Sequence, residues 1–154
     1  MAVIERRQTY WKAVLLILLL VAAPVLQADR AADVRAQVSY VAAALGNGNP
    51  TDALSPFDKS CKDYQKLRNY FQALTNGFQV TSEVEILNEQ DEEAETKLLV
   101  TWILTLTSLG SPSDVAGGSS ERRSADINIR LVPQKGKWKI VDFSPIGIFN
   151  PQGK

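Results

Sequence analysis

The apolar residues of this chain change their spacing at Gly77, from one every three or four positions to strict alternation, and that switch constrains the fold more than any other feature. Upstream, Ala31, Val34, Val38, Val41, Ala42 and Leu45 draw one stripe along a helix that begins near Asp29 and stops at Gly46-Asn47-Gly48. Asn49-Pro50 reads as an N-cap followed by proline at the first helical position, opening a short helix through Leu54 that Pro56 ends. The segment SPFDKS, Ser55 to Ser60, reads as a turn. Ser60-Cys61-Lys62-Asp63 has the layout of an acidic capping box, with a hydroxyl at the cap and a carboxylate three residues on. It predicts a third helix closed by Asn76-Gly77, carrying Cys61, Tyr64, Leu67, Arg68, Phe71 and Leu74 on one face.

Downstream, Phe78, Val80, Ser82, Val84 and Ile86 share one face of a first strand, with Gln79, Thr81, Glu83 and Glu85 on the other. Leu98, Val100, Trp102, Leu104 and Leu106 repeat the pattern opposite Leu99, Thr101, Ile103, Thr105 and Thr107. A third strand carries Ala125, Ile127, Ile129 and Leu131, backed by Asp126, Asn128 and Arg130. Trp138 and Ile140 begin a fourth after a tight turn at Gln134-Lys135-Gly136. NEQDEEA, Asn88 to Ala94, is expected to be a solvated acidic hairpin loop. LGSPSDVAGGSS, Leu109 to Ser120, is rich in Gly, Ser and Pro and reads as a linker or as a lid. Helices first and strands afterwards give an α+β domain, its helices gathered on one side of a curved antiparallel sheet of about four strands. Such an arrangement encloses a concave apolar pocket unless large side chains fill it.

Composition narrows the chemistry. The 154 residues hold 17 Lys+Arg, 17 Asp+Glu, one cysteine and no histidine. Without histidine there is no imidazole general base, no Ser-His or Cys-His nucleophile pair, and no imidazole metal ligand; neither a metal site nor a cofactor is expected. The balanced charge offers no footprint for nucleic acid. That balance averages two unlike parts. Arg6, Arg7 and Lys12 precede an apolar run from Ala13 to Leu26, the layout of a secretory signal peptide over residues 1–28. Taking those three bases and Glu5 away leaves 14 basic and 16 acidic residues in the remainder, a charge of −2. Ala28 suits a cleavage point, whereas Leu26 is larger than the small-x-small pattern prefers; residues 10–28 also approach the length of a membrane span, interrupted by Lys12 and Pro24. Two readings stand: an exported domain, periplasmic or secreted, or one anchored to a membrane through residues 13–28. Cys61 has no intrachain partner and reads as a small apolar residue.

The order of elements over Ala31 to Pro151 resembles the nuclear transport factor 2-like superfamily, the cone-shaped fold of SnoaL-like polyketide cyclases, ketosteroid isomerases and scytalone dehydratase. The segments that carry the resemblance are DYQKLRNYFQAL, TKLLVTWILTL, ERRSADINIRL and the closing GKWKIVDFSPIGIF. It implies one domain over residues 29–151, an interior pocket, and a sheet face that forms homodimers. The family holds both enzymes and non-catalytic binding modules. Its catalysts use a pocket tyrosine with carboxylates, an Asp-Arg-Asp set, or histidines. The last is excluded here, and Tyr40, about 200° from Val38 around its helix, faces away from the core stripe where an isomerase would need a tyrosine.

Periodicity places Tyr64, Phe71, Trp102, Leu104, Ile129 and Trp138 around the pocket, suited to a small apolar ligand. Asp142 shares parity with Trp138 and Ile140. Held in an apolar cavity beside the Tyr64 hydroxyl, its carboxyl could act as general base or acid for a cofactor-free isomerase, cyclase or dehydratase. A bulge after Val141 would instead turn Asp142 to the surface and keep Val141 and Phe143 inside. Arg122 and Arg123 read as cross-strand ion-pair partners or as an anion site. The leading expectation is a non-catalytic module that binds a small apolar ligand or a partner protein; a membrane-tethered dimerisation domain is a further alternative.

Overall fold

A computed structural model describes residues 29–110 and 119–153. The export or anchor segment, residues 1–28, and most of the 109–120 loop lie outside the described residues. Among those described, no helix is long and apolar enough to cross a membrane.

Residues 29–46 are helical, and from Val34 onward this helix, α1, buries Val34, Val38, Val41, Ala42, Ala44 and Leu45 while Tyr40 is 46% exposed, as the stripe requires. The helix ends where Gly48 adopts a positive φ of 69°, which glycine reaches without strain, and Gly48 and Asn49 donate back to Leu45 and Ala44 carbonyls. Helix α2 spans Pro50–Leu54, capped by the Asn49 side chain, which accepts from the Asp52 N–H at 3.1 Å. Helix α3 spans Tyr64–Gly77 and buries Leu67, Phe71 and Leu74.

The start of α3 corrects the capping-box expectation. Asp63 occupies the cap position and makes no side-chain cap bond. Upstream, the Asp58 carboxylate accepts the Ser60 N–H at 2.8 Å, an Asx turn that holds Ser60 in the preceding loop. Cys61 therefore lies in the turn before the helix, buried, and Arg68 is exposed rather than part of the apolar stripe.

The four strands form an antiparallel meander in the order β1-β2-β3-β4: β1 Phe78–Asp91, β2 Thr96–Ser108, β3 Ser120–Gln134 and β4 Lys137–Ser144. The two central strands each bury one face against the helices, while β1 buries Val80 and leaves Phe78, Val84 and Ile86 half-buried. Leu98, Val100, Trp102, Leu104 and Leu106 are buried along β2, and Ile127, Ile129 and Leu131 along β3. Lys135 and Gly136, both at positive φ (49° and 77°), make the two-residue turn between β3 and β4. The register shifts once in each edge strand, at Leu87 and at Val141. The second shift pairs Arg130 with Asp142 and Ile129 with Phe143, so Phe143 is buried and Asp142 exposed, while the bulged Val141 is half-buried.

The acidic hairpin is tighter than the sequence suggests. Asn88 to Asp91 continue β1, and only Glu92 to Glu95 turn, with the Glu92 N–H donating to the Glu95 carbonyl at 2.9 Å. Lys97 meets Glu92 at 2.6 Å and Glu95 at 3.1 Å, and Arg130 reaches Glu95 at 3.2 Å. These pairings hold the Glu95 carboxyl below its ordinary pKa, Lys97 first and Arg130 second among the causes.

Candidate functional site

The space between the helices and the sheet is where a pocket was expected, and it is occupied by aromatic rings. Phe57, Phe71, Trp102, Phe143 and Phe149 are each at most 4% exposed. Edge-to-face contacts join them: Phe57 to Phe143 at 5.2 Å, Phe71 to Phe149 at 5.2 Å, Trp102 to Phe149 at 5.5 Å and to Phe143 at 5.6 Å. The Trp102 indole N–H donates to the Ser82 hydroxyl at 2.9 Å, which fixes the ring and satisfies its one polar atom. Of the sequence-derived pocket residues, Phe71, Trp102, Leu104 and Ile129 are thus fully buried members of this core, and Trp138 packs against its edge.

Two of the five rings come from segments with no periodicity. Phe57 lies in the loop after α2, which docks on the free edge of β4: Ile140 donates to the Pro56 carbonyl at 2.9 Å and Asp58 donates to the Ile140 carbonyl at 2.8 Å. Phe149 belongs to the short 3-10 turn Gly147–Phe149 after β4. Arg123, whose side chain is 11% exposed, holds that turn by donating to the carbonyls of Ile148 and Asn150, while Glu121 accepts from its other nitrogens. Arg123 is therefore committed to a structural strap. The ion pair expected of Arg123 is present, though with Glu121 of the same strand rather than across strands; its inward parity with Ala125 and Ile127 is the sequence signal for the strap.

Asp142 and Tyr64 do not share a cavity. Asp142 lies on the outer sheet face with Lys97, Asn128 and Arg130 around a shallow 160 Å³ depression. Tyr64 instead lines a half-open cleft of 430 Å³ between α2 and α3, walled by Pro50, Thr51, Leu54 and Ser55 on one side and Tyr64, Arg68 and Gln72 on the other. The α3 residues are four apart, so their side chains stack along one line of the helix. The short α2, set by Asn49-Pro50 and ended at Ser55, supplies the opposing wall. This cleft has the size of a small-molecule site, and its lining combines Pro50, Leu54 and the Tyr64 ring with the polar residues Thr51, Ser55, Arg68 and Gln72. Arg68 and Gln72 were not foreseen as site residues; their i, i+4, i+8 spacing from Tyr64 was the available signal.

Two groups in the loop before α3 also have shifted titrations. Asp58 is held below the usual carboxylate range by hydrogen bonds from the Ser60 side chain and backbone, aided by Gln134. Burial pushes the Cys61 thiol up, against a lowering backbone hydrogen bond from Asp63. Neither group lines the cleft. Among the described residues no cluster of three or more carboxylates or thiols could hold a metal ion.

No family model matches the sequence, and no curated protein does. Solved structures do resemble it. A protein of unknown function from Mycobacterium tuberculosis superposes with a TM-score of 0.62 at 15% identity, over 76% of this chain and 70% of that one. A nuclear transport factor 2-like protein of unknown function from Shewanella oneidensis matches at 0.55 and 8% identity, over 74% and 96%. A candidate dehydratase of the nuclear transport factor 2-like family from Streptomyces avermitilis matches at 0.60 and 9%, over 73% and 92%. Identities this low carry the architecture and not the activity. With its helices packed on one face of a four-stranded meander, the chain has the nuclear transport factor 2-like fold.

Proposed function

We propose that this domain is a non-catalytic binding module and that its ligand site is the cleft between α2 and α3, which takes a small molecule with an apolar body. The observation that carries this reading is the ring cluster: Phe57, Phe71, Trp102, Phe143 and Phe149 occupy the interior, while Leu54 and the Tyr64 ring offer apolar surface beside an open cleft. The cofactor-free isomerase, cyclase or dehydratase reading needs a buried carboxylate next to Tyr64, and the exposure of Asp142 speaks against that mechanism. The test is to fill the cleft. Thr51 is exposed on its rim, so Thr51→Trp should fold as the native chain does and lose binding of a neutral aromatic probe such as phenylacetamide. Undiminished binding to that variant would refute the assignment.

A second reading concerns the outer sheet face. Leu99 and Ile103 are half-buried at its centre, exposed Glu83 and Glu85 follow the β1 side, and Arg122 and Arg130 follow the β3 side. A two-fold axis parallel to the strands would lay the acidic side of one copy over the basic side of the other, supporting a homodimer through the sheet. Light scattering that gives only monomer mass at high concentration would refute it. We place the module outside the cytoplasm or tethered by residues 13–28; the mass of the N-terminal peptide of the expressed protein decides between cleavage and retention.

A further inference from the structure

The lining of the α2–α3 cleft has a charge character of its own. It holds one cation, the Arg68 guanidinium, with hydroxyls from Thr51, Ser55 and Tyr64 and the carboxamide of Gln72, and it contains no carboxylate. Arg68 has no ion-pair partner among the described residues, in contrast to Arg35, Arg123 and Arg130, each of which meets a glutamate. The acid of α2, Asp52, is engaged elsewhere: its Oδ2 accepts from the Asn49 side chain at 2.6 Å, and it is not part of the lining.

Resting on the reading of this cleft as the ligand site, we infer that its ligand is a small monocarboxylate with an apolar body. The carboxylate takes the planar fork of Arg68, which matches two oxygens in one plane, and the body lies against Leu54 and Pro50. Tyr64 and Gln72, one turn to either side of Arg68, supply neutral donors to the same anion. One guanidinium balances one charge. A phosphate dianion would leave a charge uncompensated, and a cationic ligand would face Arg68 with no carboxylate in return.

The test is a protein NMR titration of the 154-residue chain with three probes of one shape: phenylacetate, phenylacetamide and benzylamine. Because the cleft is half open, phenylacetate should bind about fivefold tighter than phenylacetamide at low salt, benzylamine should bind most weakly, and the preference should shrink as salt is added. Arg68→Gln, at an exposed position, should abolish the preference for the anion, bringing the phenylacetate affinity down to that of phenylacetamide measured on the same variant. Equal affinities for the anion and the amide, or a preference that survives Arg68→Gln, would overturn the inference while the cleft stands as a binding site. If no probe moves the resonances of Thr51, Leu54 and Tyr64, both the inference and the site assignment fail.

Discussion

Removing the ring of Phe149 tests the packing on which the functional reading depends. Phe149 is fully buried, its ring lying 5.2 Å from Phe71, 5.5 Å from Trp102 and 5.7 Å from Phe143, centroid to centroid. Phe→Ala in a packed core costs about 3–5 kcal/mol through lost transfer energy and an unfilled cavity. Ring pairs contribute about 0.5–1.5 kcal/mol each beyond burial, which places Phe149→Ala in the upper part of that range, about 4–5 kcal/mol. Against a total of about 5–15 kcal/mol for a domain, the variant should be folded only at low temperature and low denaturant. Urea unfolding followed by far-UV circular dichroism reads the loss as a lower midpoint. An unchanged slope means the cavity stays closed; a smaller slope means the strap from Pro145 to Gly153 has come away and the native state already exposes part of the core. A loss below about 1 kcal/mol would refute the account, because it would mean that the ring only covers the surface.

Other perturbations follow from the same contacts. Ser82→Ala strips the partner from the Trp102 indole N–H and should cost about 1–2 kcal/mol by urea midpoint, with a shift in Trp102 fluorescence. Asp58, Glu95 and Glu121 all have lowered folded-state pKa values, so their stabilisation is complete only above about pH 5, beyond the unfolded carboxylate range, and is lost as the pH falls through the lower folded values. Asp58→Asn should therefore flatten the acid limb of a stability-against-pH curve. Cys61 is buried with its thiol pushed up by desolvation, so Ellman's reagent at pH 8 should label it only on unfolding; prompt labelling of the native chain would contradict its placement.

How much of this was legible in the sequence follows from where periodicity exists. The switch at Gly77 gave the order of elements, since the stripes of α1 and α3 and the alternation of β2 are set by one buried face each. The bulge at Val141 could be anticipated because Val141-Asp142-Phe143 cannot continue the strand without turning Phe143 to solvent. Phe57 and Phe149 could not be placed, because their segments are a loop and a 3-10 turn in which no spacing reveals a face. They close the interior, so the emptiness expected inside the sheet was a question of packing that pattern does not answer. The acidic hairpin is solvated as its charge run implies, Gln90 to Ala94 being exposed, but its pairing with Lys97 and Arg130 comes from neighbouring strands and is found only through register. The capping box lost to a competitor three residues away: the Asp58 carboxylate engages the Ser60 backbone before Ser60 can cap a helix.

The most direct test of the central claim, that the interior is closed by rings and the ligand site lies between α2 and α3, is a set of intermolecular nuclear Overhauser effects from bound phenylacetate. The account predicts contacts from its aromatic protons to the Leu54 methyls and the Tyr64 ring, with none to the rings of Trp102, Phe143 or Phe149. Contacts to those three rings, with Leu54 and Tyr64 silent, would contradict it.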